Sequence, residues 1–488
     1  MRTEGLFLAR SRSSYLEKGK EMIREQDTIC AIATGMGNAG IGIIRLSGEE
    51  AIDIADRIFI GRKKISEMKS YTASYGHVVN GQGSNEILDE VIVLVLRAPH
   101  TFTTEDTVEF DCHGGIYVMK KIMDALIREG ARVAEPGDFT KRAFLGGRID
   151  MSEAEAVMDV ISAQNDMALK SSLTQLRGGL KEKISDMRER ILYQTAFIES
   201  AIDDPENYSL DGYGDALSEK VRELLSEIGH LLETAEDGRL IREGIRTAIV
   251  GKPNAGKSSV LNMLLGEERA IVTDVRGTTR DTLEETVRLN GVVLNLIDTA
   301  GIRETEDVVE KIGVEKARKN IEEADLILFV VDGSEEITGE DREIASLLAG
   351  KRVITLVNKN DLTGTLSDED LRKRLSEMVP GDDNSIISIS AKTTDGKKVL
   401  EERICELFFR GAVGYNDELY ITNERHKEAL VLAERSLKKV EESIEMGVGE
   451  DFYTIDLMAA YEALGLIIGE TLEDDLADKI FREFCMGK

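Results

Sequence analysis

Between residues 107 and 113 apolar and polar side chains alternate. Val108, Phe110 and Cys112 fall on one face, and Glu109, Asp111 and His113 on the other. A period of two predicts a half-buried strand. Residues 27–33, 41–46 and 90–96 read as further strands, so 25–141 is predicted to be a mixed α/β domain. From residue 150 the period changes to that of a helix. Asp150 with Glu153 has the form of a capping box ahead of Ala154, Ala156 and Val157. The helical pattern runs to about residue 240, with an apolar stripe of Val221, Leu224, Leu225, Ile228, Leu231 and Leu232. Asp203-Asp204-Pro205-Glu206 is expected to break it into two long helices. Short apolar runs then follow at 247–250, 292–297, 353–357 and 386–389, each the length of a buried strand. Helical spacing returns with Leu457, Ala460, Tyr461, Leu464 and Ile467. His230 and His426 fall inside such helices and are expected to be structural.

The polar residues that close these short strands carry the chemistry. After 247–250 comes Gly251-Lys252-Pro253-Asn254-Ala255-Gly256-Lys257-Ser258, a G-x-x-x-x-G-K-S loop between a strand and a helix. Glycines let backbone N–H groups close around phosphate oxygens, the helix N-terminus adds its positive end, and Lys257 reaches the outer phosphates. The Ser258 hydroxyl is placed to hold Mg²⁺. Strand 292–297 delivers Asp298-Thr299-Ala300-Gly301, with Asp298 toward the Mg²⁺ shell and the Gly301 N–H toward a γ-phosphate. Strand 353–357 ends in Asn358-Lys359-Asn360-Asp361. A carboxylate at Asp361 accepts two hydrogen bonds from guanine that adenine cannot give. Strand 386–389 ends in Ser390-Ala391-Lys392, suited to the guanine carbonyl. In this order the four elements resemble the translation-factor-like GTPases over residues 243–410.

Composition narrows the picture. With 488 residues, two to four domains are expected. Charged residues make up 32%, with five Pro and no Trp, as in a helix-rich protein. The net charge of −30 argues against an unspecific grip on nucleic acid, so any RNA must meet a local basic patch or one supplied by a partner. No apolar run reaches membrane-spanning length. Cys30, Cys112, Cys405 and Cys485 form no metal pattern and read as reduced thiols in the cytoplasm. Residues 1–24 hold six Lys or Arg and three acids. They are expected to be a disordered tail, or to lie upstream of a true start at Met22. Gly35-Met36-Gly37-Asn38-Ala39-Gly40 fits G-x-G-x-x-G, but a strand follows it where a dinucleotide site needs a helix. Glu109, Asp111 and His113 offer metal-ligand chemistry, against which a solvated strand face is the commoner outcome.

Helical patterns flank the GTPase region on both sides. The economical architecture is a helical domain from 142–242 and 411–488 with the GTPase domain of 243–410 inserted. In 411–488 acids outnumber bases, which is a poor nucleic-acid face. That insertion, the terminal Cys485-Met486-Gly487-Lys488, and three N-terminal stretches resemble the MnmE (TrmE) family of tRNA-modifying GTPases. The stretches are Gly42-Ile43-Ile44-Arg45, Glu109 with His113-Gly114-Gly115, and Pro136-Gly137-Asp138-Phe139-Thr140 before Arg142-Ala143-Phe144-Leu145. The resemblance covers residues 25–488.

The resemblance implies an α/β multidomain fold. It comprises an N-terminal extension (1–24), a tetrahydrofolate-binding mixed α/β domain (25–141), a discontinuous helical domain (142–242 and 411–488) and the inserted P-loop GTPase domain. It implies GTP hydrolysis within a complex that modifies C5 of the wobble uridine, U34, with an aminomethyl or carboxymethylaminomethyl group. The implied partners are a second copy of the chain, an FAD-dependent protein called MnmG, in a heterotetramer or larger complex, and tRNA. A one-carbon unit would come from a 5-formyl- or 5,10-methylene-tetrahydrofolate held by Arg45, Glu109, Arg148 and Lys488, with Cys485 as a reactive thiol beside it. Glu109 suits adjacent pterin N–H donors. The family carries Lys where Arg148 stands, which keeps the charge and changes the geometry. It carries Pro-Pro-Gly-Arg near 35–38, where Gly-Met-Gly-Asn stands here.

In the GTPase region, the nucleotide is expected to contact Asn254, Ala255, Gly256, Lys257, Ser258 and Ser259. The first switch, Thr273-Asp274-Val275-Arg276-Gly277-Thr278-Thr279, would join them, with Asp298, Thr299, Ala300 and Gly301, with Asn358, Lys359 and Asp361, and with Ser390, Ala391 and Lys392. Ile302 occupies the position where many small GTPases place a water-orienting glutamine. Glu304, Glu306, Asp307, Glu310 and Glu315 all lie nearby, and the resemblance assigns the role to Glu310. It also implies Mg²⁺ on Ser258 and Thr279, and K⁺ on Asn254, Thr273, Val275 and Thr278 in place of an arginine finger. The alternative from another class is a ribosome-assembly or signalling switch without one-carbon chemistry, which would be expected to carry a basic RNA-binding module after the GTPase.

Overall fold

The computed structural model describes residues 27–266, 285–289, 292–297, 318–362, 368–379, 384–409, 419–470, 474–482, 484–485 and 487. The 1–24 extension, the first switch (273–279), Asp298 to Gly301, Glu310 and Lys488 therefore lie outside the described residues. The chain divides into two compact units. One comprises 1–161, 175–199 and 457–488, and the other 162–174 and 200–456.

The first unit is built on a seven-stranded sheet. Its strands are β1 (Ile29–Ile32), β2 (Ala39–Ser47), β3 (Phe59–Gly61), β4 (Thr72–Val79), β5 (Ile87–Leu96), β6 (Thr107–Gly114) and β7 (Arg132–Val133). Their spatial order is β3-β4-β5-β6-β2-β1-β7, antiparallel except for β1 with β7. The alternation in β6 has the predicted outcome: Val108, Phe110 and Cys112 are buried. They share a core with Ile44, Leu46, Val93, Val95 and the inward residues of the helices Ala51–Ile58 and Ile116–Arg128. The opposite face carries Glu109, paired in register with Arg45, and Asp111, paired with Ile43.

The predicted capping box forms. The Glu153 carboxylate accepts from the Asp150 N–H at 2.8 Å, and Asp150 accepts from the Glu153 N–H at 2.9 Å, opening the helix Met151–Ser162. Such a cap is worth about 1 kcal/mol. The following helical run has more interruptions than the sequence suggested. The helices Asp166–Leu176 and Gly179–Asp203 are separated near Gly178, whose φ of 88° suits glycine. The predicted break at 203–206 does separate Gly179–Asp203 from Tyr213–Glu243. At the C-terminus, the helix Asp474–Arg482 places Phe481 and Phe484 against Met151 and Ala154. The two rings meet edge to face at 5.2 Å. Gly137, at φ 78°, permits this approach, because a Cβ there would stand 2.2 Å from the Phe481 carbonyl oxygen.

The second unit holds a six-stranded sheet of β8 (Ile245–Val250), β9 (Glu285–Leu289), β10 (Val292–Leu296), β11 (Leu326–Asp332), β12 (Val353–Asn358) and β13 (Ser385–Ser388). The order is β13-β12-β11-β8-β10-β9, parallel apart from the β9–β10 pair. Apolar clusters cover both faces, as continuous apolar runs require. This is a doubly wound α/β fold, and it brings the loops after β8, β12 and β13 to one edge. In the same unit the helices Tyr213–Glu243 and Glu424–Glu445 pack together. Val221, Leu224, Ile228 and Leu231 are buried on one, Ala429, Leu430, Ala433 and Leu437 on the other. His426 is fully buried, whereas His230 is exposed on its helix. Among the described residues no helix is long and apolar enough to cross a membrane.

Candidate functional site

The loop after β8 turns back on itself at Gly251 (φ 155°), Asn254 (φ 63°) and Gly256 (φ 97°). Two of these positions admit no side chain. A Cβ on Gly251 would lie 2.3 Å from the Val330 carbonyl oxygen, and one on Gly256 would lie 2.1 Å from Asn358 Nδ2. The helix Lys257–Leu265 starts directly after the turn. Lys257 Nζ donates to the carbonyl oxygens of Gly251 at 2.8 Å and Lys252 at 2.9 Å. Burial pushes its ammonium below the ordinary lysine range. A buried ammonium resting on two carbonyls at the start of a helix, with no anion beside it among the described residues, is suited to a polyphosphate.

The loops after β8, β12 and β13 are joined by one side chain. Asn358 Nδ2 donates to the Ala255 carbonyl at 3.0 Å, and its Oδ1 accepts from the Ala391 N–H at 3.1 Å. Asn358 thereby ties the phosphate loop to the loops after β12 and β13. Lys359, at φ 67°, donates to the buried Asp332 at 2.5 Å. Burial opposes ionisation of Asp332, but Lys359 and Ser334 prevail and hold its carboxyl below the usual range. Asp361 is exposed, and one oxygen accepts from Ser390 Oγ at 2.8 Å. Ser390 and Ala391 were expected to face the guanine carbonyl. In the structure the Ser390 hydroxyl donates to Asp361 and the Ala391 N–H to Asn358, while Lys392 is exposed. Ser258 and Ser259 are exposed at the helix start. Asn254 is exposed and makes no hydrogen bond among the described residues. Asp332 was not anticipated. Its only signal was an acid at the end of an all-apolar strand.

The first unit assembles a second cluster. Arg45 Nε donates to Glu109 Oε1 at 2.7 Å, and an Arg45 terminal nitrogen donates to the Gly487 carbonyl at 3.2 Å. The Arg45 guanidinium lies 5.7 Å from the centre of the Phe139 ring, and Arg148 lies 5.3 Å from that of Phe102. Phe102 packs on the small cluster that contains Phe139, so the two arginines flank one apolar patch. Arg148 also bonds the Thr101 carbonyl. The C-terminal turn is held by the Gly137 N–H to the Cys485 carbonyl at 3.4 Å. Three thiols are buried, and burial pushes Cys30 up to about 12 and Cys112 up to about 11, whereas Cys485 is exposed. Of the three side chains on the polar face of β6 with metal-ligand chemistry, two are engaged in ion pairs: Glu109 pairs with Arg45, and His113 Nδ1 lies 2.7 Å from Asp89. No metal-binding cluster occurs among the described residues.

Residues 28–148 match the family model for the GTP-binding protein TrmE N-terminus, and residues 151–485 match that for the MnmE helical domain. The tRNA modification GTPase MnmE of Lachnoclostridium phytofermentans is 53% identical over 465 residues, covering 95% of this chain and 99% of that protein. The protein of the same name from Thermoanaerobacter pseudethanolicus is 47% identical over 464 residues, with 95% and 99% covered. That from Enterococcus faecalis is 47% identical over 466 residues with the same shares.

Proposed function

The chain belongs to the MnmE family of tRNA modification GTPases, and on that premise we propose that it hydrolyses GTP to drive folate-dependent modification of the wobble uridine. The product is a U34 carrying aminomethyl or carboxymethylaminomethyl at C5. The work would be shared with an FAD-dependent partner, in a complex containing two copies of this chain, in the cytoplasm where tRNA is found. We assign 25–141 to folate binding, 243–410 to GTP, and 142–242 with 411–488 to a helical domain.

In GTP hydrolysis a water attacks the γ-phosphorus and the bond to the β–γ bridging oxygen breaks, releasing GDP and phosphate. Lys257 leaves its two carbonyl partners for the phosphates, and the loop amides surround them. Ser258 and Thr279 would hold Mg²⁺, which neutralises charge on the phosphate oxygens. Asn254, Thr273, Val275 and Thr278 would hold K⁺, which supplies positive charge where negative charge shifts in the transition state. The exposed side-chain carbonyl of Asn254, which makes no hydrogen bond among the described residues, suits that task. Glu310 would orient the water, since Ile302 cannot.

The observation that carries the modification reading is the Arg45–Glu109 pair, bonded to the C-terminal turn that bears the exposed Cys485. Two arginines over aromatic rings and a carboxylate fit a flat pterin with N–H donors and an anionic tail. A tetrahydrofolate would supply the one-carbon unit there, while Arg45, Glu109, Arg148 and Lys488 hold it and Cys485 stands beside it. Deleting Met486 to Lys488 tests this. Wobble modification and binding of 5-formyl-tetrahydrofolate are expected to be lost, with GTP hydrolysis retained. Loss of hydrolysis as well would assign the C-terminus to folding instead. A ribosome-assembly switch is the less favoured reading, because the helical segment after the GTPase is acidic.

A further inference from the structure

Lys252 stands at a variable position of the phosphate-loop pattern, and nothing in that pattern gives it a task. It is nevertheless only 6% exposed, rare for a lysine. Its Nζ lies 3.1 Å from Glu335 Oε2 and 3.4 Å from Asp341 Oδ2. Burial disfavours its charge, but the two carboxylates hold the ammonium above the ordinary lysine range. Asp341 is fully buried at the start of the helix Gly339–Ser346. There it is locked in a reciprocal capping box: Asp341 Oδ2 accepts from the Thr338 N–H at 2.8 Å, and Thr338 Oγ1 accepts from the Asp341 N–H at 3.4 Å. The Lys252 side chain is therefore fixed to a rigid helix end. Its carbonyl oxygen, at the other end of the same residue, accepts from Lys257 Nζ at 2.9 Å and from the Ala255 N–H at 3.4 Å.

We propose that Lys252 is a positioning residue of the GTP site, a clamp to Asp341 and Glu335 that holds the phosphate loop in its receiving curve and sets the carbonyl on which Lys257 rests. An exposed ion pair contributes little, but this one joins a nearly buried ammonium to a fully buried carboxylate. Without the clamp the loop amides must be ordered by the nucleotide itself, which weakens binding. The clamp does not touch the γ-phosphate, so turnover at saturation is unaffected.

The inference rests on the GTP site proposed above, so the affinities of the wild-type chain for GDP and a non-hydrolysable GTP analogue are measured first. Lys252→Ala is expected to raise both dissociation constants and KM by about tenfold, with kcat within about twofold. Lys252→Arg, which keeps the charge and reach, is expected to restore them. Should Lys252→Ala not fold, Asp341→Asn keeps the helix cap, removes the buried anion and is expected to raise KM in the same way. A merely structural residue would lower the melting temperature and leave nucleotide affinity in place. Unchanged affinity in a folded variant, beside a wild-type chain that binds GTP, overturns the clamp alone. A wild-type chain that binds no guanine nucleotide overturns the GTP site and the clamp with it.

Discussion

Asn254→Ala is expected to abolish the stimulation of GTP hydrolysis by potassium while leaving GTP affinity nearly intact. The phosphates remain held by Lys257 and by the loop amides, whose curve depends on Gly251 and Gly256. What is lost is the side-chain carbonyl that would anchor the cation. An active site with Ile302 in place of glutamine, and without an arginine finger in its spacing, must find transition-state charge elsewhere. The magnitude is set by comparison with loss of an arginine finger, about 10³-fold or more in turnover. The measurement is the hydrolysis rate at saturating GTP in KCl and in NaCl at matched ionic strength. The wild-type chain is expected to respond to K⁺ and not to the smaller Na⁺. Equal rates in the two salts for the wild-type chain would falsify the cation's role.

Asp361→Asn is expected to shift preference from GTP to xanthosine triphosphate. A carboxylate can accept from two guanine N–H groups, and an amide in its place cannot accept both. Xanthine presents a carbonyl where guanine has its amino group, and the new amide donates to it. Ser390 keeps the side chain at position 361 in place through a bond that an amide oxygen also accepts. Discrimination that rests on buried polar groups left unpaired reaches about 10⁴-fold in favourable sites, and about 10³-fold is expected at this exposed one. A competition assay with both nucleotides reads the ratio directly. A ratio unchanged from the wild type would remove Asp361 from base recognition.

Much of this was legible in the chain itself, and the reasons differ by element. β6 was readable because its period of two survives in the burial of Val108, Phe110 and Cys112. The Asp150–Glu153 cap was readable because both partners lie within one turn. The strand–turn–helix of 245–265 and the strand that ends at Asn358 were readable because their residues are contiguous. What escaped was long-range partnership. Nothing local links Lys252 to Asp341, Lys359 to Asp332, or Arg45 to Gly487, which are 442 positions apart. The bonds from Ser390 to Asp361 and from the Ala391 N–H to Asn358 also cross between loops that lie far apart in the chain. The helical run after Met151 was read as too continuous, since Gly178 interrupts it at a left-handed turn that periodicity does not encode.

The contrast among the four thiols makes the native chain its own labelling reagent partner. Cys30, Cys112 and Cys405 are buried and resist deprotonation, so a maleimide dye or spin probe is expected to attach at Cys485 alone, without any cysteine being removed. One rapidly reacting equivalent in a thiol titration of the folded chain, rising to four on denaturation, is the expected count. Because Gly137 and Arg45 hold the turn that bears it, the attached probe would report on that turn by fluorescence or resonance spectroscopy. The proposed folate ligand or flavin-dependent partner could then be added to otherwise unmodified protein and watched from that one place.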